Sequence, residues 1–506
     1  MYCQGFALAF ACALVKGAAA VKTKNFIYIV PDGYGISSQV LARDFYSITN
    51  GEGTVARPNT AALGVDNIVI GSVKTQASDN LVTDSAASGT AFAAGIKTYN
   101  GAISVNDDGL PVASVLEAAY LDGLKTGLVV TSRITHATPA VYSAHVLHRD
   151  SENEIAAQQI GKAHPFGRFV DILIGGGRQQ YLPTSEGGAR DDGVNLINWA
   201  IEKGYTYAAD KSDFTEVQTE GKLPLPFLGL FTSSHLTYEV DRDIEKEPSL
   251  LETTKAAVDT LEDAVKDSDK GYFLMVEASR IDHAAHSNDA TSHLHEILVF
   301  NEVMHYLKEY VDAHPDTQIL SAADHECGGL TLIDGYDPTS LAKGQSSGEN
   351  AARALEAYNG NDPASLLRDT ILPGMGLSKY TDGTVESLVR KHASSGSEAV
   401  GRDLVERFAA EAGINWSTGG HSAADVVLHG YAGESQAELR KEIGGFRDNT
   451  ELPQYVAKSL GLDLAAATQK LRSNGTEWVQ KRSMLTEIKK RANEAARAHS
   501  HESWLH

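Results

Sequence analysis

The chain has 506 residues, 66 acidic side chains against 44 basic ones, and a formal charge of −22. Hydrophobic residues at 42% and charged residues at 22% exclude collagen, a coiled coil, intrinsic disorder and a multi-span membrane protein. So acidic a chain repels nucleic acid and anionic membranes, and an anionic substrate requires bound cations or a local arginine to reverse the field.

The first element is an apolar stretch from Gly5 to Val15, followed by Lys16, Gly17 and the small residues Ala18, Ala19 and Ala20. It reads as a signal peptide over 1–20, directing the chain out of the cell or into a vacuole-like or periplasm-like compartment. An uncleaved anchor is the alternative and the one route to a membrane partner, although 11 apolar residues fall short of the roughly 20 that span a bilayer. Cys3 and Cys12 lie inside this stretch, so cleavage leaves Cys327 without a disulfide partner. The sequons Asn415-Trp416-Ser417 and Asn474-Gly475-Thr476 fit a secreted glycoprotein.

Beyond the leader, short apolar runs at Asn25–Val30, Gly127–Thr131, Val170–Ile174, Tyr272–Val276 and Gln318–Ser321 predict buried strands. Val112–Leu121, Leu250–Val265 and His293–Ala313 predict helices between them; in the last, Ile297, Phe300, Met304, Leu307 and Val311 define one face. The alternation implies an α/β fold, a central mostly parallel sheet with helices on both faces. From 332 to 417, Gly, Ser, Asn and Asp punctuate short helical pieces at Asn350–Tyr358 and Ser387–His392, and strand-like Ala424–His429 then returns to the core. The expected organisation is an α/β core over 22–331 and 418–488, a large insertion over 332–417 and a polar tail over 489–506.

Ligands of such sheets bind beyond the carboxyl ends of the strands, and polar groups able to hold a metal or an anion follow the expected strands. Val30 leads to Asp32, Val82 to Asp84 and Ser85, Thr131 to His136 and Thr138, Val276 to Glu277, Asp282 and His286, and Ser321 to Asp324 and His325. Ser85 is expected to follow a strand and open an Ala-rich helix, whose N–H groups suit a phosphate; taken alone, the segment reads first as a plain N-cap at Asp84 or Ser85. Asp282 and His286, four residues apart, share a helix face and suit Zn²⁺, or form a capped, solvated helix. Glycines before His421 let the backbone approach the site, and Thr138 reads as an N-cap ahead of a helix carrying Arg149. Cys327 reads as a buried free thiol, with a soft zinc ligand as the alternative.

As a set, the motifs Pro31-Asp32-Gly33, Asp84-Ser85-Ala86, Ile281-Asp282 through His286, Ala323-Asp324-His325 and Gly420-His421 resemble the alkaline phosphatase family. The resemblance implies hydrolysis of small phosphate monoesters of broad leaving-group range through a phosphoserine on Ser85. It implies a first Zn²⁺ on Asp282, His286 and His421, a second on Asp32, Asp324 and His325, and Mg²⁺ on Asp32, Thr138 and Glu277. Arg149 would grip two phosphate oxygens. His136 and His283 stand at two positions that vary in the family, near substrate and the third ion, so Zn²⁺ or Co²⁺ is an alternative to Mg²⁺ there. A crown-like insertion and a homodimer are implied as well. The competing readings are a metal-dependent phosphodiesterase or sulfatase and a non-catalytic phosphate-binding protein. The sulfatase reading lacks the proline and arginine it needs after Ser85, and a diester has one charged oxygen fewer for Arg149.

Overall fold

In the computed structural model, residues 22–58, 61–479 and 485 are described; the leader, Cys3, Cys12 and the polar tail lie outside them. Ten strands form the central sheet: β1 (Asn25–Pro31), β2 (Val69–Lys74), β3 (Lys125–Arg133), β4 (Ile172–Gly176), β5 (Thr206–Ala208), β6 (Phe227–Leu230), β7 (Tyr272–Ala278), β8 (Thr317–Ala322), β13 (Val426–Tyr431) and β14 (Gly445–Asp448). Four short strands lie outside it: β9 (Glu326–Cys327), β10 (Leu330–Leu332), β11 (Ile414–Trp416) and β12 (His421–Ser422). The order across the sheet is β14-β2-β13-β8-β1-β7-β3-β4-β6-β5. All neighbours run parallel except β13, which is antiparallel to both β2 and β8. Every residue of β1, β7 and β8 is buried, as strands covered on both faces require.

Register sets the site. Val30 pairs with Glu277 across β1 and β7, and Ile29 with Ser321 across β1 and β8. Three adjacent parallel strands therefore deliver Asp32, Glu277 and Asp324 to the same edge of the sheet.

Three local expectations are corrected. No strand leads directly to Ser85: β2 ends at Lys74, and an irregular segment over 75–83, with Asp79 and Asn80 in its turn, brings the chain to Asp84. Thr138 is not the N-cap but sits in the first turn of the helix Ala137–Ser143, which His136 precedes. Arg149 lies beyond that helix in a turn, where its backbone N–H donates to Gly101 O at 2.8 Å. The segment 332–417 also carries more than short helical pieces. A helical run over Asp382–Glu411 buries Val385, Leu388, Val400, Leu404, Val405 and Phe408, and breaks only at Gly396 with φ 83° and ψ 175°, a conformation glycine tolerates. β10 and β11 pair antiparallel and tie the two ends of the segment together.

Among the described residues no helix is long and apolar enough to cross a membrane. The expected helix over His293–Ala313 begins one turn earlier, at Ala290, because Asp289 caps it by accepting the Ser292 N–H at 3.0 Å. Inside it, Glu296 is 2% exposed and accepts the Glu239 N–H at 2.7 Å. Burial, helped by the charge of Glu239 and opposed by Arg280 and Arg242, pushes its carboxyl up to about 7 from the ordinary 4.5. A folded-state value above the unfolded one favours the fold below pH 4.5, and that advantage is lost as pH rises through about 7. At about 1.4 kcal/mol per pH unit, this window corresponds to about 3 kcal/mol. Glu296→Gln is therefore expected to flatten the decline in stability between pH 5 and about 7, read as Tm against pH beside the parent chain.

Candidate metal centre and nucleophile

The helix Ser85–Ala94 begins where Asp84 accepts the Ala87 N–H at 2.9 Å. Its other carboxylate oxygen accepts the Gly101 N–H at 3.0 Å and faces Arg149 Nη1 at 3.2 Å. Asp84 is thus both an N-cap and the anchor of an arginine, while Ser85, 1% exposed, occupies the first helical position. The Ser85 hydroxyl lies 3.1 Å from His325 Nε2.

Two groups of donor atoms flank that hydroxyl. Asp32, Asp324 and His325 are fully buried, and their ligand-type atoms lie within 4.8 Å of one another. His325 Nε2 is 3.1 Å from Asp324 and 3.8 Å from Asp32. The second group is Asp282, His286, Cys327 and His421. The helix Arg280–His286 supplies the first two, and the pairing of β9 with β12 supplies the others. The two histidine rings are oriented from behind: His286 Nδ1 lies 2.7 Å from Gly419 O and His421 Nδ1 2.8 Å from Thr83 O. Because a carbonyl only accepts, each Nδ1 carries the proton, and the neutral ring offers Nε2 as a lone pair. Those two Nε2 atoms face each other at 3.1 Å. Two lone pairs at that separation repel unless a proton or a metal ion lies between them, and Asp282 stands 3.3 Å from one and 3.7 Å from the other.

A third group surrounds Glu277, whose carboxyl feels both Thr138 and Asp32. Glu277 Oε1, Thr138 Oγ1 and both Asp32 oxygens are buried without hydrogen-bond partners. Burial first, then the charges of Asp324, Asp282 and Glu277, push the Asp32 carboxyl well above the usual range. Burial and the Asp324 charge likewise push Glu277 up to about 7. Burial would also raise Asp282, but His286, His421 and His325 outweigh it and hold the carboxyl well below its ordinary value. Buried, unpaired carboxylates of this kind are costly unless cations offset them, so the residues present fit divalent metal ions. Oxygen and nitrogen donors suit Zn²⁺, and the all-oxygen group of Asp32, Thr138 and Glu277 suits Mg²⁺.

Next to these lie His136, His235 and His283, mutually edge-on, with ring centroids 4.2 to 5.4 Å apart. His136 Nε2 is 3.0 Å from Arg149 Nη2, which connects this cluster to the arginine beside Ser85. Burial and nearby cationic groups, Arg149 for His136 and Arg280 for His283, hold these two rings well below 6.5 and neutral. His235 went unnoticed in the sequence. It comes five residues after β6, so the rule that drew attention to the other strand ends would have found it had Phe227–Leu230 been read as a strand. Its support, Arg133 held by Glu152 at 2.7 and 2.9 Å, carried no sequence motif either.

The comparisons with known proteins agree on one family. The family model described as alkaline phosphatase matches residues 23–462. The repressible alkaline phosphatase of Saccharomyces cerevisiae is 39% identical over 92% of this chain and 86% of its own length. An alkaline phosphatase of Schizosaccharomyces pombe is 36% identical over 89% of this chain and 84% of its own. The crystal structure of Thermus thermophilus alkaline phosphatase superposes with a TM-score of 0.75 at 26% identity, covering 96% of this chain and 100% of that one.

Proposed function

The chain belongs to the alkaline phosphatase family and is a phosphomonoester hydrolase, and on that premise we propose that hydrolysis proceeds through a covalent phosphoserine on Ser85. The family is metal-dependent, and its substrates are small phosphate esters. The ions proposed are two Zn²⁺, one on Asp282, His286 and His421 and one on Asp32, Asp324 and His325, and one Mg²⁺ on Asp32, Thr138 and Glu277. His136 and His283 beside the last make Zn²⁺ or Co²⁺ its competitor. When bound, such ions act as Lewis acids that stabilise the alkoxides and neutralise phosphoryl charge.

The chain's own part follows from its geometry. Ser85 presents Oγ at a helix N-terminus, where the positive end of the dipole favours a phosphoryl group. Attack in line forms the Oγ–P bond as the ester P–O bond breaks, and the proton lost by the Ser85 hydroxyl leaves with the departing alcohol. Water then attacks phosphorus, the Oγ–P bond breaks, and one proton of that water returns to Ser85 Oγ as phosphate leaves. Arg149, fixed by Asp84 at 3.2 Å and by His136 at 3.0 Å, offers its planar donors to two phosphoryl oxygens. His136, which touches this arginine, and His283, its ring neighbour at 5.4 Å, are assigned to the substrate side on the same reading. The observation that carries the reading is the Ser85 hydroxyl at 3.1 Å from His325, with the donor groups gathered around it.

Because these residues recognise only the phosphoryl group, the leaving group should matter little. Aryl and alkyl monoesters are expected to give similar kcat/KM and diesters much lower values; a diester preference would overturn the reading. Arg149→Ala is expected to lower kcat/KM for monoesters by about 10²-fold, the loss of a charge-assisted bidentate contact worth about 3 kcal/mol. The same reading takes 332–417 as a crown-like insertion on the core, the assembly as a homodimer, and the route as secretory, to the exterior or a vacuole-like compartment. The exposed side chains of both sequon residues, Asn415 and Asn474, support glycosylation on that route.

A further inference from the structure

We propose that Glu117 and His145 are positioning residues for the hydrolysis: their buried pair locks the ribbon that carries Arg149 and so sets that arginine beside Ser85. The inference rests on the reading of Arg149 as the group that grips the phosphoryl oxygens. Residues 99–104 and 145–149 form an antiparallel ribbon around the bridge between Ile103 and Val146, whose backbones exchange bonds at 3.1 and 3.2 Å. Tyr99 Oη donates to Leu147 O at 2.8 Å, and the Arg149 N–H donates to Gly101 O at 2.8 Å. Gly101 in turn donates its N–H to Asp84 Oδ2, the oxygen that faces Arg149 Nη1. His145 makes the last rung, with Nδ1 2.8 Å from Ser104 O, four residues before the arginine.

That rung holds Ser104 in a conformation serine rarely adopts. The residue is fully buried with φ 42°, in the left-handed region that favours glycine. Its N–H donates to Thr90 Oγ1 at 2.9 Å, on the helix that Ser85 opens, and its hydroxyl donates to Val141 O. Ser104 is thereby bonded both to the nucleophile's helix and to the arginine's segment. Because Ser104 O only accepts, His145 Nδ1 carries a proton. His145 Nε2 stands 3.0 Å from Glu117 Oε1, so a further proton lies between those two atoms. Glu117 is fixed from behind, its Oε2 accepting the Ser114 N–H at 2.8 Å in the cap of the helix Val115–Leu121. His164 Nδ1 accepts the Phe166 N–H at 3.2 Å, so its Nε2–H faces Glu117 Oε1 at 3.0 Å. That tautomer leaves no lone pair on His164 Nε2 for a metal, and the three residues act as a proton-linked clamp. Burial would raise the Glu117 carboxyl, but His145 and His164 outweigh it and hold it well below the usual carboxylate range.

The test is a double-mutant cycle on the full chain, read as kcat/KM for an aryl phosphate and as Ki for inorganic phosphate. In His145→Gln the amide reaches Glu117 but not Ser104; kcat/KM should fall, and the phosphate Ki rise, about tenfold. In an Arg149→Ala background the same substitution should change either quantity by less than about twofold, because the group it positions is gone. Equal losses in both backgrounds, or no loss in the parent, would overturn the inference and leave the role of Arg149 standing. If Arg149→Ala alone cost nothing, the reading of the arginine would fall and the inference with it. Should His145→Gln fail to fold, His145→Asn, which keeps the donor to Ser104 and loses Glu117, enters the same cycle and the same outcomes decide.

Discussion

Ser85→Ala is expected to lower kcat by about 10⁴-fold or more and to abolish labelling of the chain by phosphate during turnover. The substitution removes one oxygen and little else. Ser85 sits at the first position of its helix, and the cap is made by Asp84 through Ala87, neither of which is touched. Alanine is the best helix former, so the helix should persist. The lost atom faces His325, whose other contacts, to Asp324 and Asp32, are independent of it. The variant should therefore retain the zinc content and Tm of the parent, and its defect should lie in chemistry. Residual turnover would report direct attack by water on a substrate still held by Arg149 and the ions. Retention of a tenth or more of the parent's kcat would exclude Ser85 as the nucleophile.

The legible parts of this site were those set by strand ends. β1, β7 and β8 are runs of apolar residues buried on both faces, and an acid immediately after such a run has no structural use there, so Asp32, Glu277 and Asp324 stood out in the sequence. Asp282 and His286 were equally visible, because one helical turn fixes their relation. What local pattern could not convey was contact made by folding over long separations. Arg149 owes its place to a turn bonded to Gly101 rather than to a helix, and the Ser85 helix is reached through a loop rather than from a strand. The neighbours of Cys327 arise from a two-residue ladder with His421, 94 positions along the chain. The helical run over Asp382–Glu411 was obscured by Ser394, Ser395 and Gly396, which sit at its break while the apolar face continues on either side.

Chelation is expected to abolish turnover and to lower Tm together, with both restored by Zn²⁺ plus Mg²⁺. Asp32, Glu277, Asp282 and Asp324 are buried, at 0% to 3% exposure, at one edge of the sheet. Burial and mutual repulsion make this group costly without counter-charge, as the raised carboxyls of Asp32 and Glu277 show. An ion that binds only the folded chain stabilises it by RT ln(1 + [L]/Kd), about 4 kcal/mol at 1,000 times Kd. Asp32→Asn distinguishes this electrostatic account from simple loss of a ligand. Asp32 is fully buried, and its oxygens lack hydrogen-bond partners, so the neutral amide removes repulsion from the metal-free fold while keeping its volume. The variant should melt above the parent after chelation and below it when both are saturated with metal, so that the two Tm curves cross as free Zn²⁺ rises. If Asp32→Asn instead destabilised both forms equally, the residue would be acting through packing, and the carboxylates would not be held apart by bound cations.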